Sequence, residues 1–205
     1  IVQNTVGKLI ENKTPKEIEK IKVLDPASGS GSFLLGAYDY LLKYHHDWYA
    51  KNASQSKGKK SDPLNPDGSL TTDVKKRILL NNIYGVDIDA NAVEVTKLSL
   101  LLKCLEGETQ ASIQSQMTLF NERVLPTLDQ NIKCGNSLVS TDFFEMEPDV
   151  QIRKKVNPFN WQIEFKNVFK QGGFDVVIGN PPYVDSRLNT TYLKDYCKER
   201  FISFS

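Results

Sequence analysis

Four short clusters in this sequence carry residues able to do chemistry, and the last of them is the most specific. Asn180-Pro181-Pro182-Tyr183 closes the run Phe174-Asp175-Val176-Val177-Ile178-Gly179. Val176-Val177-Ile178 is short and β-branched, the pattern of a central parallel strand covered on both faces. Two prolines then end any ladder, and Pro182 has no N–H to offer a neighbour. A rigid turn is therefore expected at the carboxyl end of the strand, where open α/β sheets bind their ligands. It presents an amide side chain, a carbonyl that no helix can take up, and an aromatic face. That set suits a flat nitrogen base bearing an exocyclic amino group. The Asn180 oxygen and the Pro181 carbonyl can accept both amino protons, and Tyr183 can stack on the ring. Taken alone, an ordinary proline-rich turn fits the same four residues.

The first cluster is Asp25-Pro26-Ala27-Ser28-Gly29-Ser30-Gly31-Ser32-Phe33, directly after the short strand Ile21-Lys22-Val23-Leu24 and before a helical run through Tyr44-His45. Strand, Gly-rich turn, helix is the layout of a nucleotide-type site. No Gly-Lys-Ser/Thr follows, so it is not a P-loop, and the glycine spacing does not match a dinucleotide fingerprint. Asp25 at the strand end suits a ligand with a positive amino group rather than a pyrophosphate. Ile83-Tyr84-Gly85-Val86 reads as a second strand with Asp87 at its carboxyl end, where an acid hydrogen-bonds ribose hydroxyls in nucleotide folds. Ile132 to Cys134 reads as a third strand. Asn136 follows it, able to read the edge of an adenine ring or to serve as a plain turn residue.

The elements that must position these clusters read as follows. Residues from about Thr5 to Lys20 are expected to form a helix broken at Pro15 and covering a sheet edge. Residues 51–69 are polar, with a Lys57-Gly58-Lys59-Lys60 cluster, and read as an exposed, partly mobile insertion. Thr71 to Leu80 reads as a helix with Thr71 or Thr72 as cap. Asp89 is expected to cap the helix Ala90 to Leu105, whose Val93, Val95, Leu98, Leu100, Leu101, Leu102 and Leu105 make it a core element throughout. Val139 to Lys170 is expected to supply a helix or irregular cover, and the tail is expected to be helical from about Asn189. His45 and His46 point to different faces of a helix and read as solvated helix-end residues; no metal site is expected.

Composition bounds the class. The chain has 205 residues, 40% hydrophobic and 25% charged, which fits one sizeable globular domain. The net charge of +1 gives no electrostatic case for nucleic acid, though a local basic patch is compatible with it. Three cysteines without paired spacing argue for a reducing cytoplasm and against a disulfide or zinc framework. No apolar run approaches the ~20 residues of a membrane-spanning helix. The first residue is Ile1 rather than Met, so the chain reads as a fragment.

The four clusters in this order resemble the amino-methylating DNA methyltransferases of the gamma class. The likeness is greatest to the methylase region of type IIG restriction-modification enzymes and related phage-defence methylases, and covers roughly residues 20 to 185. It implies a Rossmann-like α/β sheet with flanking helices that binds S-adenosylmethionine. By the resemblance, Asp25, Pro26, Ala27 and Gly29 line the methionine part of the cofactor, with Gly31 shaping the loop. Asp87 holds the ribose, Ile88 packs on the cofactor adenine, and Asn136 with the Ser137 backbone reads that adenine's edge. Asn180, Pro181, Pro182 and Tyr183 take a flipped adenine of double-stranded DNA. The family usually has an acid where Asn136 stands. The family sheet has about seven strands and only four are visible, so the domain is expected to be truncated after the fourth, with residues 1–205 a partial catalytic domain. Nuclease and target-recognition domains are expected elsewhere in a full-length prokaryotic chain, and the N-terminal cofactor motif upstream of Ile1. Methylation of a glutamine side chain or an RNA guanine, which the Asp-Pro-Ala loop start disfavours, and a non-catalytic scaffold are the alternatives.

Overall fold

The computed structural model describes residues 1–52, 62–108, 125–146, 149–181 and 191–200. Its centre is a parallel sheet of four strands, β1 (Val23–Asp25), β2 (Ile83–Asp87), β3 (Ile132–Cys134) and β4 (Val176–Val177), in the order β3-β2-β1-β4. Register places Asp25 beside Gly85 and Asp87 beside Cys134, while Leu24 lies beside Val177. Strand order reverses between β1 and β4, the position at which a doubly wound sheet opens a crevice beyond its carboxyl ends.

Strand side chains alternate between two cores, as the two-residue period of a strand requires. Val23, Ile83 and Ile132 point into the larger core, which also takes Leu34, Leu41, Ile78 and Leu100. Leu24, Tyr84 and Val86 point the other way, onto Phe159, Phe165 and Val168. Because both faces are covered, the strands read as continuous apolar runs rather than alternating ones.

Five of the described helices pack into the first core. They are α1 (Val6–Ile10), α2 (Pro15–Ile18), α3 (Ser32–Lys51), α4 (Thr72–Asn82) and α5 (Ala90–Leu105). Pro15 does not break a helix but opens α2, where its missing N–H costs nothing. Thr14 and Glu17 close a reciprocal capping box around it. Tyr44 of α3 donates its hydroxyl to the Lys13 carbonyl, so this N-terminal segment is tied to α3. Asp89 caps α5, accepting from the Asn91 N–H at 2.8 Å. Thr71 holds the cap position of α4, but no side chain caps that helix. Of the polar insertion, residues 62–69 form a turn closed by an Asn65 N–H to Ser69 carbonyl bond and a Leu64–Leu70 bridge; residues 53–61 lie outside the described residues.

Of the short pieces that follow, α6 (Phe143–Met146) and α7 (Val150–Val156) pack in a separate cluster with Val139 and Tyr196, while α8 (Trp161–Glu164) and α9 (Lys166–Lys170) cover the opposite face. An aromatic cluster of Tyr84, Phe159, Trp161, Phe165 and Phe174 fills this side. α10 (Thr191–Arg200) docks through Tyr196, whose hydroxyl donates to Asp142 at 2.7 Å and accepts from the Ser140 N–H. No described helix is long and apolar enough to cross a membrane.

Three expectations are corrected. β4 is not a central strand covered on both faces. Among the described residues it pairs only with β1, and Val177 is 58% exposed. α5 is not core all round. Val95, Leu98 and Leu102 follow one another at i, i+3 and i+7 on its outer face, and Leu98 is 58% exposed. His45 is not solvated. It is buried in the core, its Nδ1 on the Leu41 carbonyl, while His46 is exposed beside Asp47.

Candidate active site

The amino edge of the sheet is locked by side-chain bonds to backbone. Asn82 Nδ2 donates to the Ile18 and Ile21 carbonyls, and Asn131 Nδ2 to those of Leu80 and Ile83. The Lys22 N–H donates to Asp175 Oδ2 at 2.7 Å. These ties hold the register, so the four carboxyl ends are set side by side, each carrying one of the sequence clusters.

Asp25 ends β1 and is only 1% exposed. Its Oδ1 accepts from the Ala27 N–H at 3.0 Å, while Oδ2 is buried without a hydrogen-bond partner. Burial pushes this carboxyl above the usual range; the Ala27 N–H opposes the shift and the charge of Asp87 adds to it. A buried acceptor without a donor is costly in a folded protein and marks a place where a ligand donor fits.

Gly29 is held at both ends. Its N–H donates to Asp87 Oδ2 at 2.7 Å, and its carbonyl accepts from the Thr96 hydroxyl at 2.9 Å. The Ser28 N–H donates to the Val86 carbonyl, which ties the loop to β2. Gly31 has φ +83°, and a methyl group there would lie 2.7 Å from Thr96 Cγ2, so conformation and space both demand glycine. α3 begins at the next residue with no side chain on its first N–H groups.

Asp87 is half-buried and its second oxygen, Oδ1, accepts from the Asp89 N–H at 2.9 Å. Each carboxylate oxygen keeps a further lone pair for a ligand hydroxyl. Ile88 follows with 51% of its surface open. Across from it, Asn136 uses its Oδ1 to accept from the Leu138 N–H, an Asx turn, and its backbone N–H donates to the Asn157 carbonyl at 2.7 Å. Ser137 is placed by its carbonyl, which accepts from the Trp161 indole. Asn157, in the left-handed region with φ +49°, also donates to Cys134 Sγ, and that thiol donates to the Ile88 carbonyl. Asn157 thus braces the β3 loop, and Cys134 ties that loop to the one after β2.

Asn180 and Pro181 stand exposed just past β4. Gly179, immediately before them, lies against Asp25: a methyl group on it would be 2.7 Å from Asp25 Oδ1. The structure therefore brings Asp25, Ala27, Gly29, Gly31 and Asp87 together in one hydrogen-bonded loop, through which Pro26 runs, and sets the Asn180 turn beside it. Pro182 and Tyr183 lie outside the described residues. Thr96, Asn157 and Gly179 escape sequence reasoning. Gly179 had one available signal, a glycine directly ahead of the amide, whereas Thr96 looks like any small polar residue in an apolar helix.

The profile of the Eco57I restriction-modification methylase family matches residues 81–205, the part of the chain that holds Asp87, Asn136 and Asn180. The chain belongs to this family. The type II restriction enzyme and methyltransferase RM.Eco57I of Escherichia coli is 35% identical over 187 residues, covering 90% of this chain and 16% of that protein. The adenine-specific methyltransferase PglX of Streptomyces coelicolor is 27% identical over 87% of this chain and 14% of its own length. This Eco57I-family chain therefore spans 14% to 16% of these relatives. A nuclease-deletion mutant of the type ISP restriction-modification enzyme LlaGI, solved with a DNA substrate mimic, superposes with a TM-score of 0.50 at 14% identity, over 95% of this chain and 13% of that one. That likeness concerns the fold, a Rossmann-like methyltransferase sheet.

Proposed function

We propose that this chain is the catalytic core of a DNA methyltransferase that uses S-adenosylmethionine to methylate the exocyclic amino group of adenine, within a restriction-modification or phage-defence system. One observation carries the reading: four parallel strands end side by side with Asp25, Asp87, Asn136 and Asn180, two of them flanking the point where strand order reverses. Relatives named as adenine-specific methyltransferases and restriction enzymes support the substrate class.

The residues fit the cofactor. The orphan Oδ2 of Asp25 supplies an acceptor for an ammonium group. Gly29 and Gly31 keep the loop free of side chains, Asp87 offers lone pairs to ribose hydroxyls, and exposed Ile88 offers an apolar face to an adenine. Asn136 and the Ser137 backbone line the other side of that adenine. When bound, the cofactor supplies an electrophilic methyl on a sulfonium.

The target nitrogen is a poor nucleophile, because its lone pair is delocalised into the ring. Asn180 Oδ1 and the Pro181 carbonyl accept its two protons, favouring a pyramidal nitrogen and stabilising the positive charge that develops there. Pro182 keeps the Pro181 carbonyl out of a helix, and Tyr183 stacks on the flipped base. No cysteine nucleophile is required. Incubating the full-length protein with DNA and methyl-labelled S-adenosylmethionine, then analysing nucleosides by mass spectrometry, should show label in N6-methyladenine. Label in N4-methylcytosine, in RNA or in protein glutamine, with none in adenine, would refute the assignment.

A further inference from the structure

We infer that Thr96 is a positioning residue for the methyl-donor loop; the inference rests on the cofactor reading above. Thr96 lies in mid-α5 and is fully buried. A threonine inside a helix commonly bonds a carbonyl one turn back. Here the hydroxyl instead leaves the helix and donates to the Gly29 carbonyl, 67 residues away, at 2.9 Å. Gly29 also donates its N–H to Asp87. The two bonds fix the peptide units on either side of Gly29, and so set the rotation of the stretch between the Asp25 carboxylate and the start of α3.

The rest of the Thr96 side chain acts on the next glycine. Its Cγ2 and Oγ1 stand 2.7 Å and 2.9 Å from where a Gly31 Cβ would be. One residue therefore holds the loop by a hydrogen bond at Gly29 and leaves no room for a side chain at Gly31. α5 is packed in the core and its cap at Asp89 continues the chain from Asp87. Loop, ribose acid and α5 thereby form a closed circuit: Gly29 to Asp87, Asp87 to Asp89, α5 to Thr96, Thr96 back to Gly29.

The circuit acts on cofactor affinity and not on the base-binding turn, because neither bond involves β4. In the full-length protein, Thr96→Val should weaken binding of S-adenosylhomocysteine, measured by calorimetric titration, by roughly tenfold. It should leave KM for DNA and kcat at saturating cofactor near wild type. Thr96→Ser, which keeps the hydroxyl, should retain most of the affinity. Asp87→Ala serves as the control for the site itself. If Asp87→Ala weakens binding while Thr96→Val does not, Thr96 has no positioning role and the site stands. If neither variant changes affinity, the cofactor reading fails and this inference with it. A loss in Thr96→Ser with none in Thr96→Val would assign the effect to methyl packing and overturn the role of the hydroxyl. Should Thr96→Val fail to fold, Thr96→Ala is titrated in its place, with wild-type affinity counting against the inference.

Discussion

Gly179→Ala tests how closely the cofactor acid and the catalytic turn are built against each other. The added methyl would lie 2.7 Å from Asp25 Oδ1, against an ordinary contact of at least 3.4 Å, so about 0.7 Å must be found. Asp25 cannot yield easily. It is 1% exposed, its Oδ1 holds the Ala27 N–H, and β1 is paired on both sides. Gly179 lies just past the two-residue β4, which has one neighbour among the described residues, and is the softer partner. The shift therefore passes to Asn180, the next residue. A reacting group displaced by ~1 Å loses about 100-fold in rate, so ~0.7 Å should cost roughly 10- to 50-fold. Overpacking should also cost about 1–3 kcal/mol of stability. Single-turnover methylation by the full-length protein at saturating cofactor and DNA measures the first, and denaturant unfolding the second. Asp25→Ala removes the atom that clashes, so Gly179→Ala added to that background should cost less stability than in wild type, the remainder coming from the backbone strain of an alanine at φ +156°. A single-turnover rate within twofold of wild type, or the same stability loss in both backgrounds, would refute the reasoning.

Three other outcomes follow from the same site. Asn180→Ala should lower the single-turnover rate by roughly 100- to 1000-fold while cofactor affinity, measured by calorimetry, stays near wild type; a normal rate would leave the turn purely structural. Burial holds the Asp25 proton to higher pH than in the unfolded chain, so the folded state binds more protons between the ordinary and the raised value, and stability falls as pH rises through that window. Asp25→Asn should flatten this slope in melting temperature against pH and weaken S-adenosylhomocysteine binding; an unchanged slope would remove Asp25 as its source. Cys134 is exposed while Cys104 and Cys197 are buried, so one thiol should react fast with a maleimide in the native protein, and S-adenosylhomocysteine should slow it; mass spectrometry showing equal labelling with and without ligand would place the adenine elsewhere.

Local signals in the sequence settled more here than the sparse strands suggest. The bounds of α5 follow from Asp89 as cap and a run free of Gly and Pro with apolar residues at helical spacing, and β3 follows from three residues ending in Asn136's turn. The chemistry of the strand ends was legible because each cluster is contiguous: an acid, glycines or an amide adjoin the strand that carries them. What tertiary structure decided is which side of each element meets which neighbour. α5 is apolar on more faces than the core covers, so the pattern alone made Val95, Leu98 and Leu102 look buried. A β-branched run likewise cannot reveal whether a strand gains one neighbour or two, and β4 has one among the described residues. Thr96 shows the same limit: its partner Gly29 is chosen by packing across the fold, at a sequence separation of 67. The bond of His45 to Leu41 is local to its helix, and packing decided only its burial. The Gly179–Asp25 approach exists only because β1 and β4, distant in the chain, lie side by side in the sheet.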